Sequence, residues 1–395
     1  MAARAAAAIA AGLVGLALAG HGEASSQAAP PAPASATAPD VPAWPARLER
    51  ELAMVAARHR ARIGVHVRDL DTGATASYQA DQRWYLASMV KVPVALAVLR
   101  AVDRGTVSLD TTVSLRTSDY VDGAGSTNLA PVGTHLSVRS LLEQTIVRSD
   151  NTAADVLIDL VGLPEVNAGV TALVPRGLQR ITTLAEVRRQ VYGNLVPNAD
   201  RLSGPDLLLL RHAQSDAERV RILQRLVDAP EAAGRRRQPT LDAAYDSYYA
   251  TGLNSGRLDA YADLLAALVE GEALSAASTS YLVSLMDRVV TGPHRLKAGL
   301  PPGVRFAHKT GTQRRRVCDA GLARWPEGGR ERRVLLVACT RDEPSLERAE
   351  AALQHVGLAV CRSGLFTPGI TDAPSCPAPA SSLPPRRPAA VSPRR

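Results

Sequence analysis

The 395-residue chain is poor in lysine and in aromatic residues: only three of its 46 cationic residues are lysines, and it contains two phenylalanines and three tryptophans. No nucleic-acid-binding motif is recognisable either. The net charge of +8 therefore indicates a solvated cationic surface rather than a nucleic-acid partner. The eight histidines show no metal-ligand spacing, so we expect no metal site, and nothing in the sequence requires another cofactor.

Cysteine is scarce, with four residues in the chain. Cys339 lies in the apolar run of residues 334–339, and we interpret it as a buried thiol. Cys361 and Cys376 flank the end of the folded part, where a bond between them would hold the start of the tail. Several pairings are possible, and the sequence does not choose among them.

The apolar run at the N-terminus is short for a membrane span. Arg4 precedes apolar residues 5–19, and small residues follow as far as Ala24, which is typical of an export signal and its cleavage region. We therefore expect residues 1–24 to be a signal peptide. The mature protein is then exported, periplasmic or secreted, without a stable membrane anchor, and we expect a monomer.

Two segments have the composition of linkers. Residues 25–45 consist largely of Ala, Pro and Ser with almost no charge, and residues 367–395 are rich in proline and arginine. We expect neither segment to form a packed core, and we expect the second to be a disordered tail. The folded domain then spans residues 46–366, and it shows no internal repeat.

The hydrophobic pattern predicts an α/β fold of the α+β kind. Residues 63–67 alternate as in a half-buried strand, with a turn at 69–73 and a partner strand at 74–78. Between Val94 and Arg288 the pattern is mainly helical. Strand patterns return near the end of the domain, before a closing helix; they lie at residues 304–312, 318–322 and 334–340. We expect one antiparallel sheet built from both chain ends, flanked by helices, with an inserted helical subdomain.

The stretch around Ser88 carries the first chemical motif, Ser88-x-x-Lys91. A serine hydroxyl is a weak nucleophile until a neighbouring base accepts its proton. Residues three apart share a helix face, and the apolar run after Lys91 predicts a buried helix that would lower the pKa of the amine. Arginine cannot accept a proton in this way, so a lysine retained in an arginine-rich chain is informative. The motif alone is nevertheless common by chance.

Two further motifs could complete such a site. Ser149-Asp150-Asn151 supplies a hydroxyl and a carboxamide, although Asp or Ser before a helical stretch is also an ordinary N-cap. Lys309-Thr310-Gly311 lies in a strand pattern, where the glycine allows a close approach to the backbone. We expect a cleft between sheet and helices that is lined by Ser88, Ser149 and Lys309.

The three motifs occur in the order found in class A β-lactamases and penicillin-binding proteins. Each is weak alone, but the ordered set is specific, and the chain resembles this superfamily over residues 46–360. Residues 291–301, which lead into the Lys309 strand, and residues 152–154, which follow Asn151, are similar to class A enzymes in particular. The resemblance implies an exported serine hydrolase that opens β-lactams.

At matching positions the resemblance implies that Ser88 forms an acyl-enzyme and that Lys91 assists removal of its proton. Ser149 and Lys309 would relay a proton to the lactam nitrogen, and the backbone N–H groups of Ser88 and Thr312 would form the oxyanion hole. The remaining implied roles are substrate binding: Asn151 for the acylamido side chain, and Lys309, Thr310 and Thr312, on either side of Gly311, for the carboxylate.

Two departures from class A enzymes concern deacylation. Those enzymes use a glutamate and a water, with an asparagine four residues later; the best match here is Glu186 with Gln190. The alternative is an exposed helical Glu186 paired with its neighbours. In addition, Ser149 and Lys309 are 160 residues apart, longer than usual, which predicts an insertion at about residues 191–253 with a helix at 207–226.

The arginines at 314–316 follow the Lys309 motif at once. They are interpreted either as a solvated loop or as a source of carboxylate attraction at the rim of the cleft.

Three functions follow from these patterns. The first is hydrolysis of β-lactams through a Ser88 acyl-enzyme. The second is a penicillin-binding relative that acts on D-Ala-D-Ala peptides of peptidoglycan, or on another amide or ester, with slow deacylation. The third is a non-catalytic sensor in which the acyl group stays on Ser88. The position of Glu186 discriminates among them, because only a carboxylate beside Ser88 can activate the deacylating water.

Overall fold

The computed structural model describes residues 43–227, 238–366 and 376–377. The expected signal peptide, nearly all of the linker and nearly all of the tail lie outside the described residues. Residues 228–237 of the expected insertion lie outside them as well. All statements below concern the described part of the chain.

Helices dominate the middle of the described chain and strands dominate its two ends. The strands are β1 (Arg62–Asp69), β2 (Thr75–Tyr78), β3 (Trp84–Tyr85), β4 (Thr112–Ser114), β5 (His135–Ser137), β6 (Ser255–Gly256), β7 (Arg305–Gln313), β8 (Arg316–Glu327) and β9 (Arg330–Arg341). The helices are α1 (Trp44–Arg58), α2 (Lys91–Asp103), α3 (Val138–Val147), α4 (Asn151–Val161), α5 (Leu163–Leu173), α6 (Leu184–Gly193), α7 (Gly204–Arg211), α8 (Asp216–Leu226), α9 (Leu241–Ala250), α10 (Leu258–Val269), α11 (Ala276–Asp287), α12 (Leu296–Gly299) and α13 (Leu346–Arg362).

One five-stranded antiparallel sheet in the order β2-β1-β9-β8-β7 joins the two ends of the domain. The predicted assembly from both termini is confirmed. The expected half-buried β1 is wrong, because β1 lies between β2 and β9 with both faces covered, so that Gly64 and His66 are buried as well. Strand β7 is the edge of the sheet, and its outer side faces the Ser88 turn.

Apolar clusters cover the two faces of the sheet. On one face, α1 and α13 bury Leu48, Leu353 and Phe366 against the strands. On the other face, α2 lies at the centre of a larger cluster that also includes α4, α10 and α11. Ten of the thirteen residues of α2 are buried, as the apolar pattern after Lys91 predicts. This second cluster fixes the start of α2 beneath the edge strand β7.

The insertion forms a third cluster of its own. Its helices α7, α8 and α9 pack together with α6, and the cluster reaches Tyr85 and Ala87, which flank Ser88. The helix expected at residues 207–226 is two helices, α7 and α8. The break is explained by Ser215, whose side chain accepts a hydrogen bond from the backbone N–H of Glu218 and so begins a new helix.

The cysteines form two disulfides, Cys318–Cys339 and Cys361–Cys376. The interpretation of Cys339 as a free buried thiol is therefore wrong: Cys318 stands directly opposite it in the register of β8 and β9. The suggested link between Cys361 and Cys376 is present and ties α13 to the beginning of the tail.

No single described helix is both long and apolar enough to cross a bilayer; α4 and α5, which meet at a sharp bend, satisfy the length and composition only as a pair.

Candidate active site

Ser88 lies in a short 3₁₀ helix, Ala87–Val90, that leads directly into α2. Ala87 has a φ of 49°, in the left-handed region that non-glycine residues rarely occupy. The sharp turn leaves Ser88 half-buried at the bottom of a cavity while its neighbours Ala87 and Met89 are buried. Backbone strain of this kind persists only where the surrounding packing holds it, which is common at functional sites.

Lys91 is fully buried beside Ser88. Its Nζ is 3.0 Å from Ser88 Oγ, 2.7 Å from the carbonyl oxygen of Ser149 and 2.7 Å from Asn151 Oδ1. A neutral amine has two N–H groups and one lone pair. The carbonyl and carboxamide oxygens can accept only, so they take the two N–H groups, and the lone pair is left for the hydroxyl proton of Ser88.

The protonation state of Lys91 agrees with this geometry. Burial is the main cause that lowers its pKa, to about 7, while the carboxylates of Asp150 and Asp155 oppose the shift. An amine with a pKa of about 7 is neutral in a large fraction of the molecules near pH 7 and still binds a proton readily. The amine is therefore suited to receive the proton of Ser88.

Ser149 stands between the two lysines of the site. Its φ of 59° turns the chain sharply between α3 and α4, and its Oγ accepts a hydrogen bond of 2.9 Å from Lys309 Nζ. Lys91 Nζ is 3.4 Å from the same oxygen. Asp150, the next residue, caps α4 by accepting from the backbone N–H of Ala153 at 2.9 Å. The predicted helix cap is therefore present at Asp150, while Ser149 remains free to contact the two lysines.

Lys309 projects from β7 and is also fully buried. Besides Ser149 Oγ, its Nζ donates to the carbonyl oxygen of Thr310 at 3.0 Å. Burial, and then the nearby cations Lys91 and Arg295, lower the pKa of Lys309 well below its usual value. Because a nearby anion favours the charged form of an amine, a carboxylate close to Lys309 would oppose this shift.

The edge of β7 brings Thr310, Gly311 and Thr312 to the Ser88 turn. A side chain at Gly311 would overlap the carbonyl oxygen of Leu86, so the absence of one lets the strand lie against the turn. Arg295, which the sequence analysis did not assign, holds this edge: it donates to the carbonyl oxygen of Gly311 at 3.1 Å and to Thr312 Oγ1 at 2.7 Å. The hydroxyl proton of Thr312 is thereby left to donate elsewhere.

One cavity of about 260 Å³, the Ser88 cavity, lies beside these groups. The expectation that Lys309 lines it is wrong, because Lys309, like Lys91, is fully buried behind the wall. The structure brings the predicted residues Ser88, Ser149, Asn151, Thr310 and Thr312 to its wall. Asn151 is held on both sides, since it accepts from Lys91 and its Nδ2 donates to the carbonyl oxygen of Asp122 at 2.7 Å.

Glu186 and Gln190 lie elsewhere. They line a different cavity together with Tyr248, and Gln190 Nε2 donates to Glu186 Oε1 at 2.7 Å. The side of α6 that lines the Ser88 cavity carries Leu184, Val187 and Arg188 instead. Among the described residues, no carboxylate side chain lines the Ser88 cavity.

The orientation of α6 is fixed by Asp155. Its two carboxylate oxygens accept hydrogen bonds from the backbone N–H groups of Leu184 at 2.7 Å and Ala185 at 2.8 Å. Burial raises the pKa of this carboxyl to about 6, against the opposing effect of the two hydrogen bonds. The first turn of α6 is thus attached to α4, the helix that follows Ser149.

A buried ion pair completes the wall. Arg188 Nε donates to Asp122 Oδ1 at 2.5 Å, and Arg188 Nη1 donates to the hydroxyl of Tyr245 at 3.3 Å. Arg188 is one of the charges that lower the pKa of Lys91. These partners are far apart in sequence and belong to no motif. The one sequence signal that could have indicated Arg188 is its position on the same predicted helix as Glu186.

The chain matches the model of a known family, described as the beta-lactamase enzyme family, over residues 47–363. It is 32% identical over 325 residues to a beta-lactamase of Streptomyces fradiae, covering 80% of this chain and 86% of that protein. A solved beta-lactamase of Sphaerobacter thermophilus superposes with a TM-score of 0.58 at 25% identity, covering 82% of this chain and 99% of that one. A mutant of PBP-A, solved as an acyl-enzyme with penicillin G, shares the fold at 21% identity, with a TM-score of 0.58 and coverage of 80% and 96%.

The first prediction concerns the charge state of Lys91. When the Cε atoms of lysine are labelled with carbon-13, the protein should give three NMR signals, because it has three lysines. The Lys91 signal should titrate at pH about 7. Lys91→Arg and Lys297→Arg assign the signals by removing one each; Lys297 is exposed and does not line the cavity. Titration of Lys91 close to that of an ordinary lysine would contradict a neutral base.

The second prediction concerns the close approach at Gly311. Gly311→Ala forces β7 away from the backbone of Leu86, so we expect a loss of about 1–3 kcal/mol in the free energy of unfolding. Labelling of Ser88 by a serine-directed phosphonate should slow as well. Gly193→Ala is the matched control, since open space surrounds Gly193 near the end of α6. Equal melting temperatures for the two variants would rule out this packing.

Proposed function

The chain belongs to the beta-lactamase enzyme family and is a serine hydrolase of that kind, and on this premise we propose that Ser88 opens the ring of β-lactams through an acyl-enzyme. One observation carries the proposal above the others. Lys91 Nζ lies 3.0 Å from Ser88 Oγ with its two N–H groups already directed to other acceptors, so the nucleophile has a neutral base in contact.

Acylation proceeds in three proton transfers. Ser88 Oγ bonds to the lactam carbonyl carbon while its proton passes to Lys91 Nζ. The carbon–nitrogen bond of the ring then breaks, and the ring nitrogen takes the proton of Ser149. The proton on Lys91 replaces it across the 3.4 Å contact between Lys91 Nζ and Ser149 Oγ. Lys91 returns to its neutral form, and the net change is transfer of one proton from Ser88 to nitrogen.

Binding groups surround this path. The backbone N–H groups of Ser88 and Thr312 would stabilise the developing oxyanion, since β7 is an edge strand beside the Ser88 turn. The substrate carboxylate would lie against Lys309, Thr310 and Thr312, where it would favour the charged form of Lys309. Asn151 would contact the acylamido group.

A second candidate, slow deacylation, is favoured by a specific observation. Hydrolysis of the acyl-enzyme needs a base beside the ester, yet Leu184, Val187 and Arg188 line the Ser88 cavity and Glu186 lines another. We propose that acylation is fast and release of the acyl group slow, as in a penicillin-binding relative, with Lys91 as the only base in contact with Ser88 among the described residues. The mutant of PBP-A that was solved as an acyl-enzyme with penicillin G is a neighbour in fold.

We also propose export to an oxidising compartment, as a monomer without a stable membrane anchor. The export signal read from residues 1–24 and the two disulfides support this, because structural disulfides persist outside the reducing cytosol.

The test of acylation is mass spectrometry of the purified protein mixed with benzylpenicillin and sampled over time. The expected result is a shift by the mass of the intact drug, located on Ser88, which then decays as hydrolysed drug accumulates. Ser88→Ala should show no adduct. A lasting adduct without product would identify a penicillin-binding relative or sensor, and absence of any adduct would remove β-lactams as substrates.

The role of Glu186 has its own test. Glu186→Gln should change the decay rate of the adduct by less than about threefold, because Glu186 does not line the Ser88 cavity; loss of a general base typically costs about 10²–10⁴-fold. Asp155→Asn is the matched control, the same carboxyl-to-carboxamide change at the residue that fixes α6, and it should lower the melting temperature. Accumulation of stable adduct in Glu186→Gln would restore Glu186 as the deacylating base.

A further inference from the structure

A second, larger cavity of about 550 Å³ adjoins the Ser88 cavity. The two share Arg188, Thr312 and Gln313 in their walls, so the second cavity is the nearest space into which a long substrate at Ser88 would extend. We call the larger one the Arg219 groove, after a residue of α8 in its wall. It lies beside the last residues of β7, and apart from Thr312 its wall contains none of the groups used in the chemistry described above.

The Arg219 groove is made by the insertion. Helices α8 and α9 form one wall and the turn between β7 and β8 forms another. Arg314 of that turn joins the walls, because it pairs with Asp216 of α8 at 2.6 Å and with Asp242 of α9. The arginine run is therefore not a free solvated loop. The contacts hold the groove open at a fixed position relative to Ser88.

The wall of the groove carries four arginines and four carboxylates, but these are not paired one to one. Each carboxylate in its wall has an arginine partner: Asp122 has Arg188, Asp216 and Asp242 have Arg314, and Glu343 has Arg348. Two arginines in its wall remain without such a close partner among the described residues. Arg219 donates only to the hydroxyl of Tyr192 at 3.4 Å, and Arg315 is no closer than 3.8 Å to Asp246, with its buried Nε lacking an acceptor.

The direction of β7 determines which part of a substrate would enter. The end of the motif with Lys309 and Thr310 is assigned to the substrate carboxylate, and the strand then runs past Thr312 to Gln313 and the groove. The acyl side chain, which is assigned to Asn151, would then extend towards the same end of the strand. A group that reaches the Arg219 groove is thus attached to the acyl side of the bond that is cleaved.

We propose that the Arg219 groove binds a second carboxylate, carried at the end of the acyl group of the substrate, through Arg219 and Arg315. This assignment deepens the proposed function and rests on it. Guanidinium groups bind carboxylates by charge-assisted, often bidentate hydrogen bonds, and a partly enclosed groove screens them less than an open surface does. The favoured substrates are then amides with an acidic acyl chain, as an acidic peptide would present.

The test compares two penicillins that differ in one terminal group. Adipoyl-6-aminopenicillanic acid ends its acyl chain in a carboxylate, and hexanoyl-6-aminopenicillanic acid of equal carbon number ends in a methyl group. Stopped reactions analysed by mass spectrometry give the second-order rate of Ser88 acylation for each. We expect the adipoyl compound to react about tenfold faster, the ratio that one modest charge-assisted contact supplies.

Variants assign the preference to the groove. Arg219→Gln and Arg315→Gln should each reduce the ratio of the two rates, and the double variant should bring it close to one, while the rate with the hexanoyl compound stays unchanged. Arg221→Gln is the matched control, because Arg221 is an exposed arginine of the same helix that does not line the groove. It should keep the preference.

The outcomes separate this inference from the proposed function. Equal rates for the two penicillins in the unmodified protein, or a preference that survives in the double variant, would overturn the role of the groove while leaving Ser88 acylation intact. Absence of an adduct with either compound would instead overturn acylation of Ser88 by β-lactams.

Discussion

The burial of Lys91 against Ser88 is the interaction on which the site depends. A charged amine in an apolar surrounding is costly, and the protein can lower that cost by releasing the proton, which turns the lysine into a base. Release alone is not enough, because the two remaining N–H groups need acceptors. The carbonyl oxygen of Ser149 and the carboxamide of Asn151 supply them. The strained turn at Ser149 and the helix cap at Asp150 fix the backbone so that these two acceptors both lie beside Lys91.

The sequence predicted the parts of this arrangement that have local signals. The three motifs fall together around one cavity, and the alternation of strands at both ends of the domain correctly predicted one shared sheet. The burial of both faces of β1 was missed because small and polar residues alternate with its apolar residues. This is the pattern of a strand with one face exposed to solvent. The Cys318–Cys339 bond was missed since it depends on the register of β8 against β9, which the sequence does not display.

The position of Glu186 shows where spacing alone fails. On a helix, residues three or four apart share a face, so the four-residue spacing of Glu186 and Gln190 holds for any orientation of α6. Which face meets Ser88 depends on the rotation of the helix, and that is set by Asp155 through the amides of Leu184 and Ala185. Two positions along the helix amount to about 200° of rotation. With Leu184 turned to the cavity, Glu186 is necessarily turned away.

The same reasoning connects the insertion to the chemistry. Its cluster includes Tyr85 and Ala87, so the insertion packs directly on the turn that carries Ser88 rather than on a distant surface. At the other end, Arg316, the first residue of β8, stacks over the ring of Tyr249, 4.5 Å from its centre, and pairs with Asp342 at 3.1 Å. An insertion that only extended into solvent would need neither the contact with the Ser88 turn nor the contact with Arg316. Because it touches both the nucleophile turn and the end of the substrate-binding strand, a change in its packing would alter the two walls of the cleft together.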